Sequence, residues 1–90
     1  MILVDRCRPC GAPWPGGVAC HLISDESESE LLEFAVAIGV PMWWYQARAS
    51  VPHFDLAPRY RAKALLAGAR DVDRAGMVEG MRRWRAGNLG

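Results

Sequence analysis

The sequence predicts a small α/β sandwich of three to four mainly parallel strands with about three helices, and three observations predict it. Short apolar or aromatic runs alternate with stretches of helical periodicity. Turn formers stand between most of them. Ninety residues are enough for one core and too few for two ordinary domains. A single domain over residues 1–86 is therefore expected, with a frayed tail at 87–90.

The chain opens with MILVD, an apolar run closed by a carboxylate, which reads as a strand covered on both faces. Arg8 to Gly17 is rich in Pro and Gly and cannot continue a ladder, so pairing resumes at residues 18–24. Ser27 with Glu30 three residues on forms a capping box, and Asp25 and Glu26 favour the positive end of the helix dipole. The helix that follows sets Leu31, Phe34, Ala35 and Ile38 on one stripe and stops at Gly39 and Pro41. Residues 42–47, MWWYQA, are short and aromatic and read as a third strand with Trp43 and Trp44 on opposite faces, so either both faces of the sheet are covered, as is usual for parallel sheets, or one indole lines an interface or pocket.

A second helix is expected over residues 57–67, with Pro58 in its first turn and Gly68 closing it. Residues 70–73 read as a short edge strand, and a last helix over about 74–85 buries Met77, Val78, Met81 and Trp84. If the first three strands run parallel, Asp5, Asp25 and residues 48–56 meet beyond their carboxyl ends, where such sheets bind ligands. If residues 18–24 run antiparallel to the first strand, Asp25 moves to the opposite end.

The composition, 51% hydrophobic and 23% charged with four Trp, is that of a packed globule. No segment approaches the roughly 20 apolar residues that cross a bilayer, so a membrane is not an expected partner. Residues 1–4 lack a basic leader and three cysteines cannot all pair internally, so reduced thiols and a cytoplasmic location are expected. The net charge of +1 conceals a dipole: three Arg face seven acids up to Asp55, and eight Lys/Arg face three acids after it. A basic second half could attract a phosphate-containing ligand or nucleic acid, or complement the acidic half of a second copy in a homo-oligomer; solvated helix faces are the plainer account.

The stretch CRPCGAPWPGGVACH invites a zinc reading, since Cys7 and Cys10 have the spacing of half a tetrahedral site. Cys20 and His21, however, are adjacent and face opposite ways on a strand, so only one of them could join, and structural zinc is disfavoured. A redox pair needs a helix after Cys7, which Pro9, Gly11, Pro13 and Pro15 oppose. His53 and Asp55 flank Phe54 and share a face in extended backbone, with Phe54 in the core. Imidazole and carboxylate together make a general base with its orienting partner, or ligands for a divalent cation. Either histidine could instead bond a backbone carbonyl, and Asp55 could cap the helix after it. No motif names a reaction, and spacing alone assigns no metal ligand.

MILVD, Trp14, HLISD, Ser27 followed by EL and FA, Gly39, HFDL and GA, taken in order over about residues 1–80, resemble a small bacterial and bacteriophage family, domain of unknown function 4031. Its SHLVSD-type and HYD-type segments correspond here to Cys20–Asp25 and His53–Asp55. The resemblance implies that Asp5, His21, Asp25, His53 and Asp55 converge, and it implies no activity. The chain departs from the pattern at Cys7 and Cys10, and at Cys20, where a hydroxyl is expected.

The leading expectation is a phosphate- or nucleic-acid-directed hydrolase, with or without a divalent metal. His53 acts as base or ligand, Asp55 orients it, and His21 and Asp5 complete the site; Arg59, Asp25 and Trp44 contact substrate. Its rival is a non-catalytic, phage-encoded accessory module that binds protein or nucleic acid through its basic last helix and Trp84, and itself through the aromatic strand. A distance separates the two readings: the hydrolase needs the His21 and His53 rings within about 8 Å of each other around an open cleft.

Overall fold

In the computed structural model, which describes residues 1–11 and 14–88, the chain is a mixed α/β fold. The strands are β1 (Ile2–Val4), β2 (Arg8–Pro9), β3 (Val18–Ser24), β4 (Tyr45–Gln46), β5 (His53–Leu56) and β6 (Arg70–Asp71). The helices are α1 (Glu28–Ile38), α2 (Pro58–Leu66) and α3 (Arg74–Asn88), with short 3-10 turns at Pro15–Gly17 and Met42–Trp44.

The sheet runs in the order β4-β5-β3-β1-β6, with β2 pairing on β3. Among the described residues only β1 and β6 pair in parallel; the other ladders are antiparallel. The expected mainly parallel sheet is thus corrected, and the cause lies in the connections. Between β1 and β3 the described residues form β2, a Pro/Gly-rich loop and a short 3-10 turn but no α-helix, the element that usually makes a parallel crossover. Two helical crossovers return in the same direction: β3-α1-β4 passes over β5, and β5-α2-β6 passes over β3 and β1.

Antiparallel pairing of β1 with β3 sends Asp25 to the far end of the sheet, the second of the two geometries weighed from sequence. There its carboxylate accepts from the Met1 amino group at 2.8 Å and from Arg83 at 2.9 Å.

Residues 42–44 form a 3-10 turn and only Tyr45–Gln46 a strand, so the expected strand over 42–47 is shortened. Pro41 sits at the turn's N-cap, and the Tyr45 N–H closes the turn on Met42. Trp44 is buried and Trp43 is 77% exposed. The helix at 28–38 forms as its signals predict: the Ser27 side chain accepts from the Glu30 N–H, and Gly39 ends it in the left-handed region at φ 79°. The Glu30 carboxylate does not close the capping box. It takes the Ser24 hydroxyl and the Met1 amino group instead.

Helices cover both faces. On one, Leu31 and Ala35 of α1 and Ala64 of α2 pack with Ile2, Val4, Cys20, Leu22, Phe54, Leu56 and Trp44. On the other, Met77 of α3 packs with Leu3, Ile23 and Val51, joined by Met81 and Trp84. Val78, expected in that core, is half exposed and lines the recess instead, while Met77, Met81 and Trp84 carry the packing of α3. The close approach is made at Gly80, where an added Cβ would collide with Leu3 Cδ1. Asp73 begins α3 by accepting from the Gly76 N–H, and the helix runs past Arg85 to Asn88, whose amide bonds the Trp84 and Glu26 carbonyls. Of the expected frayed tail, residues 87 and 88 are helical, and 89 and 90 lie outside the described residues. No helix among the described residues is long and apolar enough to cross a membrane.

Candidate functional site

Alternation along three neighbouring strands builds the site. Side chains of successive strand residues point to opposite faces. In β5, Phe54 and Leu56 are fully buried on the α1/α2 face, so His53 and Asp55 stand on the other. In β3, Cys20 and Leu22 face α1 and α2, which turns His21 toward the opposite side, one place along from Ile23 under α3. Asp5 follows β1 in the same phase as Leu3.

Register then aligns them. His21 lies directly opposite Asp55 on β5, and the Asp5 N–H donates to the His21 carbonyl at 3.2 Å. Asp5, His21 and Asp55 form a row across three strands, with His53 two residues along from Asp55. The two imidazole centroids are 5.5 Å apart in an edge-on arrangement.

Each imidazole is held by its Nδ1. Asp5 accepts from His21 twice, from the ring Nδ1 at 2.9 Å and from the backbone N–H at 2.6 Å. His53 Nδ1 lies 3.0 Å from the Val51 carbonyl, which can only accept, so Nδ1 carries the proton. Both rings therefore turn Nε2 toward Asp55 Oδ1, at 3.7 Å from His21 and 3.5 Å from His53. Asp5 is buried, which by itself raises a carboxyl pKa, yet the two hydrogen bonds from His21 outweigh this and hold it below its ordinary value. The same hydrogen bond raises the His21 pKa against a smaller opposing effect of burial.

The cluster borders a recess of about 330 Å³ with two kinds of wall. Asp5, His21 and His53 with Arg8 and Arg74 make the polar side; Ile23, Val51, Met77, Val78 and Met81 make the apolar side. A second recess on the Asp55 side shares Arg8 and His21.

Four of the residues expected at the site, Asp5, His21, His53 and Asp55, are brought together. Three are not. Asp25 is at the far end of the sheet. Arg59 is exposed on α2 with its guanidinium over the Tyr60 ring, because α2 packs on the opposite face of the sheet. Trp44 is 3% exposed, packed against Trp14 at 4.7 Å and Tyr60 at 5.3 Å, and its Nε1 has no partner among the described residues. Asp55 does not cap the second helix either. Ala57 occupies that position, and Asp55 stays on the strand facing the histidines.

Sequence reasoning does not find Arg8, Arg74 or the Val51 carbonyl; the tertiary packing of β2, α3 and the loop before β5 brings them near. Arg61 was missed as well: it clamps the Asp5 carbonyl at 2.7 Å and Asp71 at 2.8 Å, fixing the turn that carries Asp5. Cys20 is buried beside Cys7, and burial pushes its thiol pKa strongly up; Cys10 is exposed.

A family model described as a protein of unknown function, DUF4031, matches residues 2–84. No curated protein and no solved structure gives a significant match.

Proposed function

The chain belongs to the DUF4031 family, whose name carries no activity, and we propose from the geometry of its polar cluster that it hydrolyses a phosphate ester. One observation carries this reading: two imidazole Nε2 atoms and a carboxylate oxygen converge at the edge of an open recess whose rim bears Arg8 and Arg74. Convergent acceptors hold and deprotonate a water, and guanidinium groups bind a phosphoryl group and offset charge that grows in the transition state. The water oxygen bonds to phosphorus, its proton passes to the cluster, the phosphorus–oxygen bond to the leaving group breaks, and the leaving oxygen takes that proton back. Asp5 acts through His21, holding the ring with Nδ1 protonated and Nε2 toward the water. The apolar wall from Val51, Met77 and Met81 favours a substrate with an apolar or aromatic group beside its phosphate.

The test is turnover of p-nitrophenyl phosphate and bis(p-nitrophenyl) phosphate by the purified chain. Loss of His53 or His21 should lower kcat by at least about 100-fold, the usual contribution of a positioned base. Turnover absent from the wild type, or equal in both variants, would sink the reading.

A further inference from the structure

Two of the chain's ring nitrogens and one carboxylate oxygen converge on the α3 face of the sheet. His21, His53 and Asp55 each offer a ligand atom within 4.8 Å of the others, and both Nε2 atoms face Asp55 Oδ1. With Nδ1 protonated on both rings, each neutral Nε2 presents a lone pair, and an ionised Asp55 offers only lone pairs. The separations of 3.5 and 3.7 Å exceed hydrogen-bond length, so Asp55 shares a proton with neither ring. When both rings are neutral, the three acceptors have no donor among them and repel one another, and a cation among them reverses the sign of that interaction.

Distances narrow the kind of cation. Zinc bonds of about 2.0–2.1 Å at tetrahedral angles set neighbouring ligand atoms about 3.4 Å apart. Octahedral magnesium at about 2.0–2.1 Å sets them about 2.9 Å apart and prefers oxygen. The spacings of 3.5 and 3.7 Å, with two imidazoles, match the first. The surroundings match as well. Both Nδ1 atoms donate to oxygens, Asp5 and Val51, the support that fixes ring orientation and strengthens a metal-bound histidine.

We infer that His21 Nε2, His53 Nε2 and Asp55 Oδ1 form a three-ligand site for a zinc-like divalent cation, its fourth position open to the recess and Asp5 positioning His21. Three protein ligands with one open position is the arrangement of a catalytic site rather than a structural one, and an ion bound there lowers the pKa of a water in the fourth position. The inference concerns the same cluster as the hydrolytic reading but rests on coordination geometry, and it stands without hydrolysis.

The test strips the full chain with a chelator and titrates it with zinc and with cobalt(II). One equivalent of each should bind, and cobalt should give the intense visible absorption of tetrahedral geometry. His21→Ala, His53→Ala and Asp55→Ala should each weaken binding by about 100-fold, and Asp5→Asn by about 10- to 100-fold with an altered cobalt spectrum. Cys7→Ser with Cys10→Ser should change nothing. The chain has two histidines, so a readout without variants exists: one equivalent of zinc should shift both imidazole resonances of the wild type. Failure to bind, binding unchanged in the histidine variants, or a sulfur-to-cobalt charge-transfer band would overturn the site. Stoichiometric zinc without phosphate-ester turnover keeps this site and retires the hydrolase; turnover undiminished by the chelator does the reverse.

Discussion

The two faces of β1, β3 and β5 are built from alternate residues of the same three short segments, and they differ in almost everything else. On the face toward α1 and α2, Val4, Cys20, Leu22, Phe54 and Leu56 are completely buried. On the face toward α3, apolar cover stops after Leu3 and Ile23, and the next positions along the strands are Asp5 and His21. Burial on the first face holds the sheet together. The second face can then end in polar groups at the edge of a recess, because the strand backbones are already fixed from behind. A change on the closed face should therefore act on stability, and one on the open face on chemistry.

The largest effect expected is Phe54→Ala. It empties a fully buried site stacked on Tyr45 and should cost about 3–5 kcal/mol in urea denaturation, enough to unfold much of a domain of marginal stability. Gly80→Val tests the α3 side: the new side chain drives the helix off Leu3, at a cost of about 1–3 kcal/mol, and should loosen the apolar wall of the recess. If the Gly80 variant proved as stable as wild type, the close contact between α3 and the sheet would be wrong. His53→Phe should change stability by less than about 1 kcal/mol while removing metal binding and turnover. A loss of several kcal/mol there would show that the open face carries stability as well, and the contrast between faces would fail.

A pH series sharpens the contrast at one pair. Asp5, with its pKa lowered on folding, contributes stability that is present above its unfolded value near 3.8 and lost as pH falls through the still lower folded value. His21, with its pKa raised, contributes stability that is full below its unfolded value of 6.5 and lost as pH rises through the folded value. In metal-free protein the pair's contribution should peak between those unfolded values, and Asp5→Asn should flatten the profile. The smallest effect belongs to Leu66→Lys. This side chain is 90% exposed at the end of α2, and its loss should shift stability by no more than about 0.5 kcal/mol.

Much of the cluster could be read from residue order because alternation is local. His53 and Asp55 around Phe54, and His21 beside Cys20, announce which side chains share a face. Strand direction does not announce itself, so Asp25 was grouped with a site at the other end of the sheet. Arg59 was assigned from nearness in sequence to Asp55, yet the crossover through α2 carries it behind the sheet. Trp44 was read as part of a strand, and a turn after Pro41 folded it into the core. No motif marks Arg8 or Arg74, since each reaches the recess through tertiary placement; Arg74 shows in the sequence only as part of the basic second half.

Local chemistry settles the helix caps, the buried stripes, the one-domain size and the alternation that sets imidazoles and carboxylates on one side of their strands, because each depends on residues a few positions apart. Pairing direction, the order of strands, and the meeting of His21 with His53 and Asp55 depend on which distant segments pack together. Those outcomes are selected by burial of the whole core and by the length of each connection, quantities that no short window of residues contains.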